Sequence, residues 1–184
     1  MEIKEKEQEA AVQQQYLTFF LADEEYAVNI QKVKEIIEYS SVTKVPKVPR
    51  WIRGVINLRG NVVPVVDLAV RFGLDERTTT KTTCIVIVEV QQDAENTVMG
   101  VIADAVNQVI ELNPDDIEEP PAFGTRVRLE YLAGVGKLGK KFALILNIDR
   151  VLSAAELLTV AGLPNELADV RKDNVQEGEE RPEA

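Results

Sequence analysis

Short apolar segments separated by turn residues run through most of this sequence and predict a chain built mainly of β-strands. The almost wholly apolar run 84–90 should be buried on both faces. Many short strands with few helices favour small β-barrels. The predicted strands cover residues 16–22, 25–30, 84–90, 97–102 and 106–112, with two hairpins over 54–68 and 131–148.

Three segments depart from this strand pattern. Residues 31–38 carry apolar side chains at helical spacing, which predicts a helix with Val33, Ile36 and Ile37 on one side. Residues 67–72 predict a short helical turn, and residues 149–161 predict a closing helix. The expected chain is therefore mainly β, with short helices and one helix near its C-terminus.

The hairpin over 54–68 contains Arg59 at the end of its first apolar strand, just before the turn glycine Gly60. An arginine in this position is costly to bury without a partner. Either a nearby carboxylate satisfies Arg59, or the guanidinium is presented to another molecule. The second alternative would make this turn a binding site, so the function of the protein depends on which alternative is correct.

The chain also contains an internal repeat. Residues 54–68 align with 134–148, and residues 26–38 align with 99–111, in the same order along the chain. Aliphatic residues match by chance in a single segment, but two collinear matches favour one β module used twice. We therefore predict a duplicated domain.

The two copies differ at a pair of charged positions. Where the first copy has Glu35 and Arg59, the second has Gln108 and Gly139. Because both charges are absent together, we hypothesise that Glu35 and Arg59 interact and that only the first copy needs the pair. The alternative is a solvated surface ion pair that contributes about 0–1 kcal/mol.

Composition restricts the chemistry of the chain. Its 184 residues contain no histidine and a single cysteine, Cys84, so the usual general bases and metal ligands are missing. We expect no catalytic site, metal or cofactor. A lone cysteine and the lack of both a signal peptide and a ~20-residue apolar run predict a cytoplasmic protein without direct membrane insertion.

Charge is concentrated at the two ends of the chain. The net charge is −10, and residues 165–184 alone contain seven acidic and three basic residues. We expect acidic, disordered tails over 1–15 and 163–184. Nucleic acid is an unfavourable partner, because binding it requires clustered lysine and arginine.

Two loops could carry function. Residues 134–139 match a G-x-G-x-x-G motif, but a strand follows where a phosphate-binding loop needs a helix. A nucleotide-binding or enzymatic β-barrel that uses this loop is the alternative function. Phe123 lies in a proline-rich loop, where its ring either anchors a partner or folds back over a barrel end. Val33 and Ile36 either belong to the core or form an apolar strip that binds a partner helix.

Three segments resemble the CheW-like domain family of bacterial chemotaxis coupling proteins. They are the Tyr-Ala-Val-Asn-Ile stretch within 25–36, the Asn-Leu-Arg-Gly and Val-Pro-Val-Val-Asp-Leu motifs within 53–68, and Glu-Tyr-Leu-x-Gly-Val-Gly within 130–138. The resemblance is collinear from about residue 16 to residue 158. It leaves only the tails outside.

The resemblance implies a single domain over 16–162 made of two SH3-like, five-stranded β-barrel subdomains around a shared core. Subdomain 1 should cover about 23–82. Subdomain 2 should combine 16–22 with 83–152, so that the first strand joins the second barrel rather than its sequence neighbour. The closing helix is expected over 153–161.

The resemblance also implies a non-catalytic adaptor that couples chemoreceptors to the histidine kinase CheA in signalling arrays. The expected partners are the regulatory CheW-like domain of CheA, the cytoplasmic tip of methyl-accepting chemoreceptors, and other CheW-like domains in rings. The implied receptor-binding residues are Val33, Glu35, Ile36 and Arg59, and the implied kinase-binding residues are Val42, Lys44, Val45 and Phe123.

Overall fold

A computed structural model describes residues 13–92, 94–121 and 127–152, and these form a mainly β domain, as predicted. Two one-turn α-helices, α1 (Leu68–Arg71) and α2 (Ile148–Val151), and 3-10 turns at Ile30–Lys32, Pro114–Asp116 and Leu129–Tyr131 complete the described elements. The strands are β1 (Gln14–Leu21), β2 (Glu24–Asn29), β3 (Val33–Glu38), β4 (Ile52–Leu58), β5 (Asn61–Val66), β6 (Cys84–Gln92), β7 (Glu95–Ala103), β8 (Ala105–Leu112), β9 (Ile117–Glu118), β10 (Leu132–Leu138) and β11 (Lys141–Leu146).

The strands form two sheets with the same internal order. One sheet runs β3-β6-β7-β5-β4, and the other runs β8-β1-β2-β11-β10-β9. Each contains one parallel contact in the same register: Val65 lies opposite Gly100 in the first sheet, and Ile145 lies opposite Ala27 in the second. These positions are equivalent in the two copies, so the predicted duplication is confirmed.

The sheets divide the chain differently from the expected subdomains. β2 pairs with its neighbour β1 and with β11, whereas β6 and β7 join β3, β4 and β5. β6 is an almost wholly apolar strand, and its central place between β3 and β7 buries it. The strand ladders form open sheets of five and six strands among the described residues, rather than two closed five-stranded barrels.

Residues 31–38 are not a helix. The 3-10 turn, capped by the Asn29 side chain, leads directly into β3, which pairs antiparallel with β6. Along β3 half-buried and exposed residues alternate, so Val33 and Ile37 lie on the half-buried side and Ile36 on the exposed side. A short segment whose apolar residues fit both periods takes the conformation that its partner strand offers.

The main hydrophobic core joins the two sheets. Phe19, Tyr26, Phe72 and Tyr131 form a chain of ring contacts, with successive centroids 5.9–6.2 Å apart. Because these rings come from both copies, the two sheets share one core. Within the described residues no helix is long and apolar enough to cross a membrane.

Several sequence predictions concern residues outside the described ones. These are the acidic tails, the closing helix beyond Leu152 and the aromatic loop residue Phe123. The short helical turn predicted over 67–72 is confirmed as α1, and the helix predicted from residue 149 begins at Ile148.

Candidate protein-interaction site

Arg59 occupies a strained position in the turn between β4 and β5. Leu58 pairs with Asn61, so Arg59 and Gly60 form a two-residue turn in which both have positive φ angles, +52° and +84°. The Asn57 side chain accepts a hydrogen bond of 2.8 Å from the Gly60 N–H. A left-handed backbone costs a residue with a side chain about 1–2 kcal/mol, so the position favours glycine.

The second copy has glycine at the equivalent position. Gly139 has a φ of +64° at the start of the β10–β11 turn. The turn therefore needs a positive φ in both copies, but only the first copy has an arginine there. Backbone strain retained at a side chain of this kind is typical of functional positions.

Arg59 forms an ion pair with Glu35, as hypothesised from the comparison of the copies. An Arg59 Nη atom donates to a Glu35 carboxylate oxygen at 2.9 Å. The contact joins edge strand β3 to the tip of the β4–β5 hairpin, at the opposite edge of the same sheet. The Arg59 side chain remains 76% exposed, so most of its surface is accessible to a partner.

A β-bulge places Glu35 in this position. The β3–β6 register shifts between Val33 and Glu35, which leaves Lys34 as the extra residue, paired with Glu89 on β6. Bulges re-aim side chains and often lie beside functional sites. The bulge is not visible in the sequence, where the apolar spacing of residues 31–38 predicts a helix.

The second copy contains the same bulge without charged residues at its centre. There the β1–β8 register shifts between Leu17 and Phe19, and the bulged Asn107 donates a hydrogen bond of 2.8 Å to Glu25. The neighbouring Gln108 takes the place of Glu35. The β-bulge is thus present in both copies, whereas the pair of opposite charges is present at this position only in the first copy.

The other implied receptor residues divide between surface and core. Ile36 is 45% exposed and follows Glu35 on the edge strand, with its side chain on the opposite face of β3. Val33 is half-buried and packs against the main core. We call Glu35, Ile36 and Arg59 the β3-edge site, and Val33 joins the start of that strand to the core.

The implied kinase residues lie along the segment that runs beside β4. Thr43 and Val55 exchange two backbone hydrogen bonds of 2.8 and 2.9 Å, which fix this segment to the strand. Lys44 is exposed and Val42 is half-buried. Val45 is buried, so its side chain offers little surface to a partner in this conformation.

The base of the β4–β5 hairpin is held by a partly buried ion pair. Arg53 contacts Asp67, and it also contacts Glu76 at 2.8 Å. Asp67 in addition caps α1 by accepting a 3.2 Å hydrogen bond from the Val70 N–H. Burial acts to lower the pKa of Arg53, but the hydrogen bond and charge of Asp67 outweigh it and raise that pKa. The charged pair therefore fixes the strand that leads to Arg59.

The glycine motif over 134–139 has no phosphate-binding geometry. Its residues lie in β10 and the following turn, and β11 continues as a strand. A phosphate-binding loop instead directs its N–H groups from the N-terminus of a helix. The nucleotide-binding alternative is therefore not favoured.

The fold and the β3-edge site define a duplicated β-sheet domain with a charged and apolar interaction edge. The sequence profile of the CheW-like domain family matches residues 15–156, and the chain belongs to that family. It is 36% identical to the chemotaxis protein CheW of Klebsiella aerogenes, over 81% of this chain and 87% of that protein. It is 30% identical to Protein FrzA of Myxococcus xanthus, over 83% of this chain and 94% of that protein.

A solved structure supports the same assignment. The crystal structure of the scaffolding protein TtCheW from Thermoanaerobacter tengcongensis matches with a TM-score of 0.70 at 34% sequence identity. The match covers 79% of this chain and 91% of that one. The family is one of chemotaxis scaffolds and adaptors rather than enzymes.

Proposed function

We propose that this protein is a non-catalytic adaptor that couples methyl-accepting chemoreceptors to the histidine kinase CheA and thereby controls kinase activity. The observation that carries the proposal is Arg59. It is retained in a turn that favours glycine, with most of its side chain exposed and one contact to Glu35.

The β3-edge site has the chemistry to bind a receptor tip. The tip of a helical hairpin presents apolar side chains between charged ones. Ile36 offers an exposed apolar contact on the same edge strand as Glu35, which pairs with Arg59. Since the edge strand pairs with β6 and the partly buried Arg53–Asp67 pair holds the base of the hairpin, the backbone of the site is arranged before binding. Preorganisation lowers the entropy lost on association.

The kinase surface is proposed to include the exposed Lys44 and the half-buried Val42, with Val45 buried behind them in this conformation, together with Phe123 outside the described residues. The first three lie along β4, apart in sequence from the β3-edge site. One domain could then bind receptor and kinase at once and raise the effective concentration of one near the other. Weak individual contacts would suffice for assembly at the receptor arrays on the membrane.

The test is co-sedimentation of the full chain with receptor signalling fragments, with and without CheA, alongside receptor-dependent kinase activity. Arg59→Glu is expected to fold normally and to lose both receptor co-sedimentation and kinase control, because the charge facing the partner is reversed. Arg77→Glu is the matched control, since Arg77 is also an exposed arginine with one carboxylate partner, Asp104 at 3.5 Å. Full kinase control by Arg59→Glu would contradict the proposal.

A second measurement addresses the nucleotide-binding alternative. ATP is titrated against the full chain while the amide signals of residues 134–139 are followed by NMR. No saturable change is expected, because a strand follows the motif. Saturable binding at this loop would contradict a function as an adaptor alone.

A further inference from the structure

The tip of the β10–β11 hairpin differs in chemistry from the tip that carries Arg59. The first-copy tip has one positive charge, neutralised by Glu35, whereas the second-copy tip has Lys137, Lys140 and Lys141. We propose that this basic tip, with Phe142, binds the acidic segment 163–184 of the same chain. This intramolecular contact goes beyond the coupling function and does not depend on it.

The surface at this tip is apolar and positively charged. Phe142 is 58% exposed, the highest value among the large exposed apolar residues of the described chain. Lys137 is paired with Glu118 at 2.7 Å. Lys140 and Lys141 are exposed and form no ion pair with any described residue. An exposed aromatic ring beside unpaired cations is a binding surface for an acidic and partly apolar segment.

The second copy also lacks the acidic residue that neutralises the first tip. Gln108 stands in the place of Glu35, on the edge strand β8 of the second sheet. The positive charge of Lys140 and Lys141 is therefore left uncompensated, in a chain whose net charge is −10. A negatively charged partner is favoured at this tip for the same electrostatic reason that Glu35 pairs with Arg59 at the first-copy tip.

The segment 163–184 has the matching composition. It contains seven acidic and three basic residues. Leu167 and Val170 alternate with Glu166 and Asp169, so apolar and acidic side chains occur together. Such a segment can cover Phe142 while its carboxylates contact the lysines.

The chain is long enough for the contact. α2 lies at the far end of β11 from the tip, and the six residues of β11 span about 20 Å. The helix expected over 153–161 would rise about 14 Å, and the residues after it can extend by about 3.3 Å each, so the segment can reach the tip. A tether of this length gives an effective concentration in the millimolar range, so a weak contact is enough for binding.

The experiment records amide NMR spectra of the full chain and its variants. Lys140→Gln/Lys141→Gln is expected to shift the amide signals of residues 163–184. Glu166→Gln/Asp169→Asn is expected to shift those of residues 140–142 in return. The control Lys47→Gln/Lys81→Gln removes the same charge from exposed loop lysines and should leave the 163–184 signals unchanged. Phe142→Ala should reduce the reciprocal shifts, and about 1 M salt should abolish them by screening.

Three results would overturn the proposal. One is the absence of reciprocal shifts between the hairpin and the segment. Another is loss of those shifts on about tenfold dilution, which would assign the contact to a second copy of the chain. The third is binding of anionic lipid vesicles through Lys140 and Lys141 that is equally strong in the parent chain and in Glu166→Gln/Asp169→Asn. That result would assign the tip to a membrane surface.

Discussion

Trp51 and Tyr131 occupy equivalent positions in the two copies, and both rings contact the same guanidinium, that of Arg71. The guanidinium carbon lies 4.3 Å from the Trp51 ring centroid and 5.6 Å from the Tyr131 centroid. An Arg71 Nη atom also donates a hydrogen bond of 3.1 Å to the Tyr131 hydroxyl. One residue of α1 thus joins the first copy to the second.

We expect Arg71→Met to lower the free energy of unfolding by about 1–3 kcal/mol, since it keeps much of the apolar stem but loses the cation–π contacts and the hydrogen bond. Urea unfolding measures this loss. Arg150→Met, on the exposed face of α2, should change stability by less than about 0.5 kcal/mol. Equal losses in the two variants would show that Arg71 does not join the copies.

Arg59→Gly places the residue of the second copy into the first-copy turn. The variant should be as stable as the parent, or more stable by up to about 1 kcal/mol, because relief of the positive φ offsets the lost surface ion pair. The same variant should lose receptor binding. Urea unfolding combined with receptor co-sedimentation separates the two effects, and a stability loss above about 1 kcal/mol would mean that Arg59 serves the fold.

Gly54 and Gly134 are equivalent, but an added methyl group meets different surroundings. At Gly54, whose φ is +149°, a Cβ would lie 2.1 Å from the Thr43 carbonyl oxygen. At Gly134 the nearest atom is a methyl of the Ile117 side chain at 2.6 Å. We expect Gly54→Ala to destabilise the domain by about 2–4 kcal/mol and Gly134→Ala by less, because a side chain moves more readily than a paired backbone.

Thermal unfolding of the two variants compares these losses directly. The Thr43–Val55 pairing reports the same clash locally, so its amide signals should move in Gly54→Ala. A larger loss for Gly134→Ala would contradict the close approach of the two backbones at Gly54.

Burial raises the pKa of the Cys84 thiol, so the folded chain holds this proton at a pH where the unfolded chain releases it. Stability should therefore fall as the pH rises past about 9, the ordinary pKa of a thiol, and this contribution should be intact below it. Urea unfolding between pH 7 and pH 10 measures the effect. Cys84→Ala should show a smaller decline, and an identical decline would exclude the thiol as its source.

The strand content could be predicted from sequence because alternating and continuous apolar runs report directly on burial. β3 was misassigned because Val33, Ile36 and Ile37 fit a helical period, and a bulge at Lys34 interrupts the alternation that would have revealed a strand. The partners of β2 and β6 could not be predicted, since pairing between distant strands leaves no local pattern. The division of the chain between the two sheets depends on that pairing.

The candidate site was partly accessible from sequence. The internal repeat singled out Glu35 and Arg59, because a second copy of the same module shows which residues the fold does not need. The strain at Arg59 and the burial of Val45 required coordinates, since a φ angle and a packed side chain depend on the pairing of β4 with its neighbours.

The distribution of strands between the sheets determines which sheet can be completed first during synthesis on the ribosome. The sheet of β3 to β7 has all its strands once residue 103 has emerged. The β1–β2 hairpin emerges first, yet its partners β8 and β11 are translated only after every strand of the other sheet. Apolar residues such as Leu17, Phe19 and Val28, which are buried in the folded chain, therefore stay exposed for much of translation. The β1–β2 hairpin is then the part of the nascent chain most exposed to aggregation or to binding by chaperones.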